Sequence, residues 1–150
     1  MNTCQSNGSL VIDFINQNKD TWFESPRKYF FGGRSSRAQK FKLSFNRKTD
    51  KVIFEFESGT KLGIEQWRII ESEKLLENKG KVSIGARISE GYSSDSLEGH
   101  LKEIAKSMYG RATDTKTAPH IADLLVIAEF AELDYAKSPS GRKVQGIRLK

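Results

Sequence analysis

The first part of the chain combines a short apolar run with a long stretch of alternating residues. The run at 9–15 predicts a helix from Ser9 to about Asn18. Its inward positions are expected to be Leu10 or Val11, Phe14 and Ile15. Residues 19–39 are interrupted by Pro, Gly and Ser, so we expect them to be irregular. Apolar and polar residues then alternate through 41–45 and 52–57, and a third short strand follows at 61–64, which predicts an antiparallel meander with one apolar face.

From residue 64 or 65 the hydrophobic period becomes helical, and Asn78-Lys79-Gly80 supplies a C-terminal stop. The stripe expected to face inward comprises Trp67, Ile70, Lys74, Leu75 and Leu76. Residues 81–86 alternate as a short strand. The sequence Asp95-Ser96-Leu97-Glu98 has the spacing of a capping box with Asp in the first position, which predicts the start of another helix.

That helix is expected to end at Tyr109-Gly110. Its inward residues should be Leu97, Leu101, Ile104, Ala105 and Met108. Thr117 then offers an N-cap and Pro119 a first-turn residue for a strongly apolar helix from about Ala118 to Leu133. The last segments, 134–137 and 142–149, are predicted to form a hairpin with a basic tip.

These elements predict an α+β protein. Residues 1–64 would hold the N-terminal helix and the basic β-meander, and residues 65–150 a helical module that ends in a hairpin. One continuous compact domain is the alternative, since 150 residues fit one domain or one domain with a small appended module.

Charge is strongly segregated along the chain. The formal net charge is +6, but residues 27–51 carry nine basic residues and one acid, and residues 137–150 carry five basic residues and no acid. Between them, residues 52–135 hold ten basic and fifteen acidic residues. Two basic segments around an acidic middle favour a polyanionic partner touched at two places. The alternative is that Lys and Arg only keep two hairpins soluble.

Composition argues against several other classes. Cys4 is the one cysteine, so the chain can form neither an internal disulfide nor a cysteine-based zinc site. His100 and His120 are far apart in sequence, and no other pattern predicts a metal or a cofactor. No secretory signal and no apolar stretch of about 20 residues is visible, so we expect a cytoplasmic protein without a membrane or small-molecule partner.

The element order from residue 65 is helix, short strand, helix, turn, helix, strand, basic loop and strand. With the apolar helix and acidic exit at 120–133 and the Gly-Arg-Lys loop within 134–149, this order resembles the winged helix-turn-helix superfamily. The resemblance implies that the short strand pairs with the terminal hairpin, that the third helix meets the DNA major groove, and that the hairpin loop is a wing on the neighbouring backbone. By position, it implies DNA contacts from Lys116, Thr117, His120, Arg142 and Lys143.

The third helix departs from this pattern because it carries Asp123, Glu129 and Glu132, which phosphates would repel. Apolar residues also occupy more than one of its faces. Burial in the core, or use in a homodimer contact, is the alternative interpretation of this helix.

A second candidate surface lies in the N-terminal basic segment. Arg27, Lys28, Arg34 and Arg37 alternate with Tyr29, Phe30 and Phe31, a mixture that suits base stacking and phosphate contact. Gly32-Gly33 would allow close approach of a phosphate, although the spacing of a P-loop is missing. Alternatively, the rings seal a sheet edge while the cations remain solvated.

Catalysis has little support in the sequence. Glu77-Asn78-Lys79 has the Glu-x-Lys spacing of metal-dependent nucleases, with Asp50 or Glu55 as a further carboxylate, but so short a motif arises often by chance. The sequence therefore predicts a non-catalytic protein that binds double-stranded DNA, as a regulator or as a subunit of a DNA-handling or defence system. The alternatives are a protein-interaction module, acting by dimerisation or by docking on an acidic partner, and a binder of single-stranded nucleic acid.

Overall fold

The fold is α+β, as the sequence predicts. A computed structural model describes residues 9–31, 40–85, 96–110, 117–138 and 141–150. The chain divides into two compact units, Met1–Ile70 and Glu71–Lys150, and the division falls inside one helix. Each unit has its own three-stranded antiparallel sheet.

The first unit is built on the predicted meander. Its elements are helices α1 (Ser9–Gln17) and α2 (Pro26–Phe30) and strands β1 (Phe41–Asn46), β2 (Lys51–Phe56) and β3 (Lys61–Glu65). The strand order is β1-β2-β3, and Leu43 lies opposite Phe54. One face of the sheet is buried, and α1 packs on β1 with Val11 and Ile15 fully buried. Leu10 is 70% exposed, so Val11 takes the inward position that the pattern left open.

Two features of residues 19–31 differ from the predicted irregular stretch. Helix α2 follows Ser25, with Pro26 in its first turn, where the fixed backbone of proline suits a helix start. Phe23 also forms an isolated antiparallel bridge with Phe41. A one-turn helix and a single bridge are too short to produce a hydrophobic period, so the sequence pattern does not reveal them.

Helix α3 (Gln66–Lys79) forms where it was predicted, but its predicted buried stripe is partly wrong. Leu75 and Leu76 are buried as expected, whereas Lys74 is exposed. The other buried positions are Arg68, Ile69, Ser72 and Glu73. Hydrophobicity misplaces this stripe because Arg68, Ser72 and Glu73, of types that are rarely buried, lie on the buried face and give no apolar signal.

The second unit combines two helices with a sheet. It contains β4 (Lys81–Ser83), α4 (Leu97–Tyr109), α5 (Ala118–Ile127), β5 (Ala131–Lys137) and β6 (Lys143–Leu149). The strand order is β4-β6-β5, so the short strand β4 joins the terminal hairpin in one sheet. The core is aliphatic: Leu101, Ile121, Leu124, Leu125 and Ile147 are all fully buried.

Gly146 permits a close approach between β6 and its neighbours. A Cβ atom at this position would lie 2.7 Å from the carbonyl oxygen of Val82 and 2.9 Å from the Cβ of Ala136. Only glycine fits between the two flanking strands without a shift of backbone, so this residue fixes the spacing at the centre of the hairpin.

Helix α4 begins one residue later than the predicted capping box. Ser96 is the N-cap, and its Oγ accepts a hydrogen bond from the backbone N–H of Gly99 at 3.0 Å. Asp95 lies outside the described residues. The C-terminus is as predicted, with Gly110 in a left-handed conformation. Leu97, Leu101 and Ala105 are buried as predicted, but Met108 is exposed.

Helix α5 ends at Ile127, six residues before the predicted end. Glu129 adopts a positive φ of 64°, and the N–H of Phe130 donates to the carbonyl of Leu125. Strand β5 then begins at Ala131. A helix that ends with a left-handed residue usually has glycine at that position. Because glutamate stands there instead, the sequence does not indicate the helix end, and the predicted helix runs on into the strand. None of the helices in the described ranges has the length and apolarity that a membrane crossing needs.

Candidate nucleic-acid interface

The tip of the β5–β6 hairpin places three cations side by side. Ser138 and Arg142 close the turn: the N–H of Ser138 donates to the Arg142 carbonyl at 2.8 Å, and the N–H of Arg142 donates to Ser138 Oγ at 3.1 Å. Lys137 lies directly opposite Lys143 in the strand register. The side chains of Lys137, Arg142 and Lys143 are all exposed. Among the described residues, no carboxylate forms an ion pair with any of these three.

The acidic residues of the same sheet are paired away from the tip. Asp134 Oδ2 lies 3.2 Å from Lys81 Nζ and 3.7 Å from Arg148, and Arg148 also holds Glu132 at 2.7 Å. A hydrogen bond from the backbone N–H of Tyr135, then the Lys81 ammonium, lowers the pKa of Asp134. The Glu132 carboxylate raises the pKa of Arg148. The base of the hairpin is therefore largely neutralised, and the cations of this sheet that form no ion pair within the described residues lie at its tip.

A groove of about 660 Å³ runs beside the hairpin and is lined by four lysines. These are Lys79, Lys81, Lys137 and Lys143. Tyr135, which is 37% exposed, forms part of the wall, and Lys143 Nζ lies 4.1 Å from the centre of its ring. An aromatic ring beside clustered ammonium groups suits a ligand that combines phosphates with sugar or base surface.

Sequence reasoning missed Lys79, Lys81 and Tyr135 as members of this groove. The sequence does show two lysines on either side of Gly80, the second of which begins β4. Their place beside the hairpin depends on the pairing of β4 with β6, which the sequence does not specify.

The start of α5 offers less than the resemblance implies. Thr117 is 4% exposed, so its hydroxyl is not accessible to a ligand. His120 is half-buried in the first turn, and Lys116 lies outside the described residues. Asp123 is 2% exposed, and the centre of the helix is core. The alternative interpretation, burial of this helix, therefore describes most of its surface.

The N-terminal basic segment is only partly described. Arg27 and Lys28 are half-buried in α2, while Arg34 and Arg37 lie outside the described residues. Of the three neighbouring aromatic residues, Tyr29 and Phe30 are exposed, and Phe31 is half-buried with its ring 4.9 Å from that of Phe30 in an edge-to-face contact. Sequence reasoning missed Trp22, which is also exposed in this unit.

Comparison of the chain with protein-family models, with curated proteins and with solved structures finds no match.

Proposed function

We propose that the unit Glu71–Lys150 binds double-stranded DNA through the terminal hairpin and its lysine groove. The observation that carries this proposal is the charge arrangement of the sheet: its carboxylates are paired at the base, while Lys137, Arg142 and Lys143 stand exposed at the tip. A narrow hairpin with cations at its end can follow a phosphate backbone or enter a groove of the duplex.

The groove extends the same positive surface along the sheet. Lys79 and Lys81 add two ammonium groups beside those of the hairpin. Lys81 also holds Asp134 at 3.2 Å, so we expect this pairing to reduce its contribution to phosphate contact. Each neutralised phosphate releases condensed counterions, which makes the affinity fall as salt rises.

Sequence discrimination should be weak in this arrangement. The central face of α5 is buried, and Asp123, its acidic residue, is turned into the protein. A helix without an exposed polar face cannot form the base-edge hydrogen bonds that distinguish sequences in the major groove. The resemblance to winged helix domains supports the use of the wing. Of the predicted helix-start residues that the structure describes, His120 is half-buried and Thr117 is buried.

The proposal is tested by titrating the intact chain into a fluorescently labelled mixed-sequence duplex and measuring anisotropy over about 50 to 200 mM salt. With three to five phosphates neutralised, the logarithm of the association constant should fall against the logarithm of salt with a slope of about −3 to −5. Absence of binding at the lowest salt would contradict the proposal. Equal affinity for a duplex of unrelated sequence would support backbone contact over base reading.

A further inference from the structure

The first unit carries a second aromatic and cationic surface, which we call the Trp22–Tyr29 cluster. Trp22 is 46% exposed and Tyr29 68% exposed. Each ring has a lysine over it: Lys42 Nζ lies 4.9 Å from the centre of the Trp22 ring, and Lys28 Nζ lies 5.6 Å from that of Tyr29. The cluster belongs entirely to the unit Met1–Ile70, whereas the hairpin belongs to the unit Glu71–Lys150.

The bridge between Phe23 and Phe41 explains why the Trp22 side chain faces solvent. The two residues exchange backbone hydrogen bonds of 2.8 and 2.9 Å, and their rings meet 6.3 Å apart. The Phe23 ring also packs 5.8 Å from that of Phe14 on α1. Because side chains alternate along extended backbone, the neighbours of Phe23 point away from this apolar contact. The same pairing that buries Phe41 therefore keeps the Trp22 side chain exposed to solvent.

Two acidic residues near the cluster, Glu24 and Glu57, have hydrogen-bond partners within this unit. The Tyr29 hydroxyl donates to Glu24, whose other oxygen lies 4.0 Å from Lys40 Nζ. Glu57 accepts a hydrogen bond from the backbone N–H of Lys40 at 3.0 Å. Glu55 lies directly across the strand pair from Lys42. The hydrogen bond to Glu24, two residues after Trp22, ties Tyr29 of α2 to the segment that carries Trp22.

We propose that Trp22 and Tyr29 form a stacking site for unpaired bases of single-stranded nucleic acid, with Lys42 and Lys28 beside the flanking phosphates. Aromatic side chains bind any base through its π-face, and adjacent cations follow the backbone. A duplex keeps its bases stacked on each other and cannot present them to these rings. The cluster thus selects a different form of nucleic acid from the one proposed for the hairpin.

Trp22 provides a direct optical probe, because the chain contains two tryptophans and Trp67→Phe leaves Trp22 as the only one. In this background, we expect a short oligothymidylate to quench the Trp22 fluorescence in a saturable manner. A duplex of the same length should not quench it. Anisotropy of labelled oligothymidylate gives the affinity independently of the tryptophan signal.

Trp22→Ala and Tyr29→Ala should each weaken oligothymidylate binding by about tenfold, because each removes one stacking ring. Trp22→Phe, which keeps a ring, should restore most of the affinity. Tyr109→Ala, which removes an exposed aromatic residue of the other unit, is the matched control and should change nothing. Circular dichroism of every variant reports whether the fold is retained.

Absence of quenching, or unchanged affinity in folded Trp22→Ala and Tyr29→Ala, would overturn the stacking site. If Arg142→Ala/Lys143→Ala lost oligothymidylate binding and Trp22→Ala did not, the stacking site would also be overturned, because the hairpin would then bind the single strand. Duplex binding that persists in Trp22→Ala shows that the hairpin binds the duplex without the stacking site. Duplex binding by the hairpin and base stacking by the cluster are therefore tested separately.

Discussion

The carboxylate of Glu98 on α4 caps the first turn of α5, because Glu98 Oε1 accepts a hydrogen bond from the backbone N–H of Ala118 at 3.2 Å. Its second oxygen lies 3.7 Å from Lys102 Nζ one turn along α4. The side chain of Thr117, the N-cap residue by position, makes no capping hydrogen bond. Glu98 of the preceding helix therefore supplies the capping hydrogen-bond acceptor that Thr117 does not, and this contact links α4 to α5.

Glu98→Ala should destabilise the second unit strongly. Both Glu98 and Lys102 are buried, so the substitution leaves a buried ammonium group without its carboxylate and a helix start without its acceptor. We expect a loss of about 3 kcal/mol or more in the free energy of unfolding, measured by urea titration. Glu103→Ala, at an exposed position of the same helix, is the control and should cost less than about 0.5 kcal/mol. Equal losses in the two variants would show that the Glu98 contacts do not stabilise the helix pair.

Glu73 should make stability depend on pH. Burial, reinforced by the neighbouring Glu77 carboxylate, raises the pKa of Glu73 from 4.5 to about 7. Between these values the folded protein holds a proton that the unfolded chain has released, so stability falls as pH rises through this window. Glu73→Gln removes this dependence.

The stability of Glu73→Gln relative to the wild type should therefore rise from pH 4.5 to pH 7 and above. We expect a relative change on the order of 1–2 kcal/mol. Urea unfolding at both ends of the window measures it. Glu103→Gln, an exposed control, should run parallel to the wild type. A wild type whose stability instead rises across this window relative to Glu73→Gln would contradict the assignment.

Gly146→Ala should disturb the sheet that carries the hairpin. The added methyl would lie 2.7 Å from the Val82 carbonyl oxygen, so β4 and β6 must separate. We expect a loss of about 1–3 kcal/mol in the free energy of unfolding, together with weaker duplex binding. Gly63→Ala in β3 is the control, because the nearest atom there is a flexible Lys51 side-chain carbon at 3.2 Å. If Gly63→Ala proved the more damaging substitution, the close approach at Gly146 would not matter.

The sequence predicts strands well where one face is buried. The alternation around Leu43 and Phe54 placed β1 and β2 correctly, because a two-residue period leaves little choice of face. It failed where polar residues occupy buried positions, as Arg68 and Glu73 do on α3, and where Glu129 ends a helix without a glycine. Hydrophobicity carries no information on such positions, since their partners are set by tertiary contacts.

The candidate interface was predictable only in its most local part. Arg142 and Lys143 follow from a basic turn between two alternating segments. Lys79 and Lys81 join them through the pairing of β4 with β6, which spans more than 60 residues of chain. The exposure of Trp22 was not predicted, because the bridge that causes it involves a single residue on each side. Long-range pairing, rather than residue type, determines which cations and rings share a surface.

The most direct test of the account compares the salt dependence of duplex binding in the wild type and in Arg142→Ala/Lys143→Ala. Removal of these two cations should make the slope of log affinity against log salt less negative by about two units, because two phosphate contacts are lost. Lys74→Ala/Lys106→Ala removes the same charge from exposed positions of α3 and α4 and should leave the slope unchanged. An unchanged slope in the hairpin variant, or an equal reduction in both variants, would contradict binding through the hairpin tip.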